Sequence, residues 1–180
     1  MSRVLLIASI AGLLLVAWPL AAPPSADAVV AGAVARAKAE HKAVLIEFGA
    51  SWCTWCRSFE AFVKSPDAGP VIARNYVVTN LVVEERDDKR ALENPGGEAL
   101  KTRWGGEKAG LPFYVFLDDA GRKVGDSNAM PGGGNIGFPA VPAEIAAFLD
   151  VVDKTAPSLT KADRDILRAY LTRVMPKRAS

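Results

Sequence analysis

The chain holds two cysteines in 180 residues, and they stand three apart, as Cys53-Thr54-Trp55-Cys56. Residues three apart on a first helical turn share one face, close enough for two thiols to bridge. The chemistry such a pair suggests is reversible thiol–disulfide exchange. Two other readings compete. A purely structural disulfide across so short a loop would add little stability. Tetrahedral zinc needs four ligands, or three and a water, and the chain has only the two thiols and one histidine. That histidine, His41, falls on the far side of the preceding strand and reads as a helix-end surface residue.

The neighbours of the pair set its reactivity. Ala43 to Phe48 reads as a buried strand, and the run through Arg57, Phe59, Phe62 and Val63 reads as a helix. Cys53 then sits at a helix N-terminus, where unpaired N–H groups and the helix dipole favour a thiolate. Thiols in such settings have pKa values of roughly 3.5–7.5, against about 8.5 for a free cysteine. Cys53 is the expected nucleophile and Cys56 the resolving thiol. Arg57 adds positive charge beside them, a feature that surface solubility would explain equally well. Trp52 and Trp55 flank the nucleophile, either as packing groups or as an apolar rim for partners. Glu47 lies inside the apolar strand. A carboxylate desolvated there would titrate high, as suits acid–base work near neutral pH. The competing reading is a side chain that bends out to solvent.

The stretch Leu45-Ile46-Glu47-Phe48-Gly49-Ala50-Ser51-Trp52-Cys53-Thr54-Trp55-Cys56-Arg57 resembles the active-site segment of the thioredoxin superfamily. It is similar to secreted bacterial thioredoxin-like proteins with a Trp before the second cysteine, and also to the periplasmic C-terminal domain of the membrane disulfide reductant transporter. The likeness returns at Leu111-Pro112-Phe113-Tyr114-Val115-Phe116-Leu117-Asp118. The resemblance implies a thioredoxin-like α/β fold, with a central mixed sheet flanked by helices. It implies that Glu47 takes the proton of the resolving thiol through water, although the family more often has Asp there. It further implies a cis peptide before Pro112, facing the cysteines, in a loop (Leu111, Pro112) whose backbone pairs with an extended stretch of substrate.

Around these residues the pattern predicts a helix over Val29–His41 and a second strand over Tyr76–Val83. It also predicts a helical turn near Pro70–Arg74 and a helix over Glu98–Trp104 ended by Gly105-Gly106. The mixed-charge run Glu84–Arg90 reads as a solvated loop or helix face. Phe113–Leu117 and Arg122–Gly125 read as strands joined by a tight turn at Asp118–Gly121. Asp126–Pro142 reads as loop, with Pro131-Gly132-Gly133-Gly134 its most flexible part. Ala143–Asp153 would close the fold. A further amphipathic helix, 158–174, extends it, with Thr160 and Asp163 as a capping box.

Residues 1–28 read as a signal peptide: Arg3, an apolar run Val4–Leu20, and the small-x-small site Ala26-Asp27-Ala28. Cleavage is expected after Ala28, with Ala22 as the second choice and an uncleaved membrane anchor as the alternative. The remaining 29–180 form one thioredoxin-like domain. A formal charge of +2, with basic residues scattered, gives no reason to expect nucleic-acid or membrane-surface binding. The expectation is a periplasmic or secreted, monomeric enzyme that exchanges disulfides with exported proteins. It needs no metal and no cofactor beyond the Cys53–Cys56 pair. Thr54 and Trp55 bring no charge between the cysteines, so the expected direction is reductive, fed by a membrane electron donor. The alternatives are a disulfide donor and a non-catalytic binding or chaperone module.

Overall fold

A computed structural model of the chain describes residues 22–175. The apolar run Val4–Leu20 lies outside the described residues. Among the described residues no helix is long and apolar enough to cross a membrane.

The frame is a four-stranded sheet in the order β2-β1-β3-β4. The strands are β1 (Ala43–Gly49), β2 (Tyr76–Val82), β3 (Phe113–Leu117) and β4 (Lys123–Asp126). β1 pairs with β2 in parallel and with β3 antiparallel, and β3 pairs antiparallel with β4. β1 and β3 are buried along almost their whole length, which is why their sequences are nearly continuous apolar runs. The period-2 alternation of side chains divides β1 between two cores. Val44, Ile46 and Phe48 face one core, beneath the helix α1 (Ala26–Glu40). Ala43 and Leu45 face the other, with Phe59 and Phe62 of α2 (Thr54–Val63). The same alternation sends Glu47 toward α2.

The helices begin and end where local chemistry dictates. Ser25 caps α1 by accepting the N–H of Ala28 at 3.2 Å, and His41 closes it in the left-handed region at φ 54°. α1 therefore starts three residues before the expected Val29, and its first turn is docked. Ala26 N–H donates to the Pro95 carbonyl at 2.9 Å, and Asn94 Nδ2 donates to the Pro24 carbonyl at 2.9 Å. The short helix α3 (Gly69–Asn75) leads into β2, and α5 (Pro142–Thr155) packs on the β3–β4 side with Phe148 fully buried. α6 (Lys161–Val174) carries the expected box: Asp163 N–H donates to Thr160 Oγ1 at 3.2 Å, and Thr160 N–H donates to Asp163 Oδ2 at 3.1 Å. Leu167 and Leu171 seat α6 on the core.

Two stretches differ from expectation. Glu84–Arg90 is not simply a solvated face. Glu85 is buried, and a 3-10 turn runs from Asp87 to Leu92. Glu98–Trp104 is not one α-helix: α4 (Gly97–Lys101) passes into a single π turn, Thr102–Gly106, with Gly105 at φ 91°. The connection expected as loop is loop over 127–141, between β4 and α5, but Ile136 and Phe138 from it are buried in the core.

Candidate active site

Cys53 is the N-cap of α2, and its Sγ accepts the backbone N–H of Cys56 at 3.0 Å. The two cysteines are joined in a disulfide, with Cα atoms 5.3 Å apart. Both are nearly covered, Cys53 at 3% exposure and Cys56 at 8%. The sequence folds this way because β1 ends at Gly49 and a turn at Ser51–Trp52 redirects the chain into α2. In that turn Cys53 N–H donates to the Ala50 carbonyl at 3.0 Å.

The peptide Leu111–Pro112 is cis. Leu111 packs against Ala50, Cys53 and Cys56, so the loop lies against the disulfide as the resemblance implied. Asn135 braces it: one Nδ2 donates to the carbonyls of Gly110, at 2.8 Å, and Pro112, at 3.1 Å. Asn135 stands in a glycine-rich loop and gave no signal in the sequence.

The tryptophans form a rim. Trp52 is 39% exposed, donates its indole N–H to the Glu84 carbonyl at 2.8 Å, and has the Arg86 guanidinium 4.3 Å above its ring. Trp55 is 46% exposed and stacks on Phe138, with centroids 5.9 Å apart and planes at 13°. Arg57 is turned to scaffolding. Its guanidinium donates to the Ser51 carbonyl and to Thr54 Oγ1, each at 3.1 Å.

Glu47 is 2% exposed and does not bend out to solvent. The sheet register places it beside Asn80, whose Nδ2 donates to Glu47 Oε2 at 3.0 Å. Its other oxygen, Oε1, is buried with no partner. That oxygen faces Cys56: a Cβ built on Gly49 would lie 3.6 Å from Glu47 Oε1 and 3.4 Å from Cys56 Sγ. A Cβ there would meet both at ordinary contact distance, and with glycine the gap between them stays open. The gap belongs to a cavity of about 300 Å³ lined by Glu47, Gly49, Cys56, Glu60 and Asn80. Burial pushes the Glu47 carboxyl up to about 8, the nearby Glu60 carboxylate adds to the rise, and Lys64 opposes it. Glu60 escaped the sequence reading, although its place one helical turn beyond Cys56 was a signal for it.

A family model described as thioredoxin-like matches residues 26–119. The chain belongs to the thioredoxin-like family. Among curated relatives of this thioredoxin-like chain is the thiol:disulfide interchange protein DsbD of Photorhabdus laumondii. It is 30% identical over 89 residues, which are 48% of this chain and 14% of that protein. Solved structures similar to it include a disulphide isomerase from Xylella fastidiosa Temecula1, 25% identical with a TM-score of 0.48. That match covers 62% of this chain and 79% of the other. The oxidised C-terminal domain of DsbD from Neisseria meningitidis is 20% identical with a TM-score of 0.42, covering 59% and 84% respectively.

Proposed function

We propose that this protein is a thiol–disulfide oxidoreductase that reduces disulfides of exported proteins. The observation that carries the proposal is the Cys53–Cys56 pair at the start of α2, with a cavity that joins Cys56 to a buried, high-pKa carboxylate. In the reduced protein the Cys53 thiolate keeps the backbone N–H of Cys56 as a donor and attacks one sulfur of a substrate disulfide. A mixed disulfide forms and the other substrate sulfur leaves as a thiolate. Cys56 must then lose its proton before it attacks Cys53 Sγ, releases the second substrate thiol and restores the disulfide. Glu47 accepts that proton through water in the cavity. A carboxylate poised near 8 is matched to this task at neutral pH. Glu60, half exposed at its side chain, returns the proton to solvent. The bound segment of substrate lies across the Leu111–Pro112 backbone, between the Trp52 and Trp55 rims.

The direction follows from charge. A strong oxidant of this chemistry stabilises its reduced form by stabilising a thiolate. Here Thr54 and Trp55 add no positive charge between the cysteines, the Arg57 guanidinium is held against Ser51 and Thr54, and two acidic side chains, Glu47 and Glu60, line the cavity beside Cys56. These features favour a potential nearer about −270 mV than about −120 mV. A reductant kept in an oxidising compartment needs electrons from a dithiol donor across the membrane, so we place the protein in the periplasm, acting as a monomer. Insulin reduction and a glutathione titration test the proposal. Turnover of insulin with a potential near the lower value is expected; a potential at the oxidant end would make the protein a disulfide donor, and no turnover would refute exchange altogether.

A further inference from the structure

Lys101 is a buried charge that the exchange chemistry does not use. It is 3% exposed, and a lysine so covered must be paired. Its ammonium donates to Glu84 Oε1 at 2.8 Å and to the Ala109 carbonyl at 2.7 Å. These two partners belong to the two walls of the active site. Glu84 holds Trp52, because its own carbonyl accepts the Trp52 indole N–H. Ala109 begins the loop that runs through Gly110 and Leu111 into cis-Pro112.

Two further features show that the fold maintains this link at a cost. Glu84 has φ 55°, in the left-handed region that a non-glycine residue enters only when its surroundings hold it there. Gly106 makes room for the lysine stem: a Cβ at that position would stand 2.7 Å from Lys101 Cγ and 2.7 Å from the Phe113 ring. Strain at Glu84 and a required glycine at 106 both serve one ion pair, in which the lysine is buried and the glutamate partly exposed.

We infer that the Lys101–Glu84 pair is a positioning device that fixes the distance between the Trp52 wall and the Leu111–Pro112 wall, and thereby selects extended protein disulfides over small ones. The inference rests on the exchange reading above. A protein substrate must fit an extended segment between both walls, so it senses their spacing; a small aromatic disulfide needs only access to Cys53. Removal of the pair would therefore lower affinity for a protein substrate and leave the electron chemistry of the cysteines alone.

The test compares insulin with 5,5′-dithiobis(2-nitrobenzoate) as disulfide substrates of the reduced protein, for wild type, Lys101→Met and Glu84→Gly. Glycine adopts φ 55° without strain, so Glu84→Gly removes the carboxylate while it keeps the backbone carbonyl for Trp52. It also stands in if Lys101→Met fails to fold. The ratio of kcat/KM for insulin to that for the small disulfide is expected to fall about tenfold in each variant, through KM, with the reduction potential unchanged. The double variant should lose no more than either single one. Wild-type protein inert toward insulin would refute the exchange reading, and this inference with it. An active wild type whose variants keep the wild-type ratio, or shift in potential, would overturn the inference alone.

Discussion

Replacement of Glu47 by Gln should make the protein more stable and a worse enzyme. The buried carboxyl titrates at about 8 in the folded protein, against an ordinary value of 4.5. An acid whose folded pKa is raised binds its proton more tightly folded than unfolded. Its favourable contribution is therefore complete below pH 4.5 and is lost as the pH rises toward 8. Over that window the wild type should lose about 1.4 kcal/mol of stability per pH unit from this residue. At pH 7 the accumulated loss is about 3 kcal/mol, and a neutral amide escapes it. Glutamine keeps an oxygen for the Asn80 amide, and its NH2 group faces the cavity, so no new buried orphan arises. Urea unfolding of the oxidised protein, at intervals from about pH 4 to pH 9, reads this out with no free thiol to confuse the titration. Glu47→Gln and wild type should coincide near pH 4 and diverge above it, with the variant ahead. In insulin reduction at pH 7 the variant should turn over about ten- to a hundredfold more slowly, while alkylation of Cys53 stays fast. Parallel stability profiles would refute the buried-carboxyl assignment. Unchanged turnover would return Glu47 to a structural role.

Three further outcomes follow from the same geometry. Cys56→Ser should accumulate mixed disulfides with partner proteins and Cys53→Ser should not, as read by mass spectrometry of acid-trapped adducts; equal trapping would contradict the assigned roles. Glu60→Gln should move the acid limb of the insulin pH profile to lower pH, because the Glu60 carboxylate helps to raise the Glu47 pKa; an unmoved profile would exclude that coupling. Export processing should cut after Ala22 and not after Ala28, since a start at Val29 would discard the Ser25 cap and the buried Ala26, at about 1–2 kcal/mol. Intact mass of the exported protein decides this, and a mature Val29 N-terminus would refute it.

The sequence by itself was enough for the chemistry and for the strands that carry it. Cys53 and Cys56 are local to one helical turn, so spacing alone placed them on one face. The apolar run of β1 showed a buried strand, and Pro112 with its flanking Leu111 marked the loop opposite through family likeness. The capping box at Thr160 and Asp163 was equally legible, because a cap is an interaction within four residues. What tertiary structure decided was every relation between segments distant along the chain. Glu47 could have faced solvent; the β1–β2 register, which sets it beside Asn80, buries it. Glu85 sat in a run of charges that looked solvated, yet its carboxylate accepts both the N–H of Ser51, at 2.6 Å, and its hydroxyl, at 2.8 Å. Lys101 and Asn135 carried no local signal at all. A charge is read from composition as exposed, since burial costs it its hydration, and only the fold can show the partner that offsets that cost. For the same reason the start of α1 lies three residues before the sequence-based expectation: Pro24 and Ala26 are tied to Asn94 and Pro95, about seventy positions away.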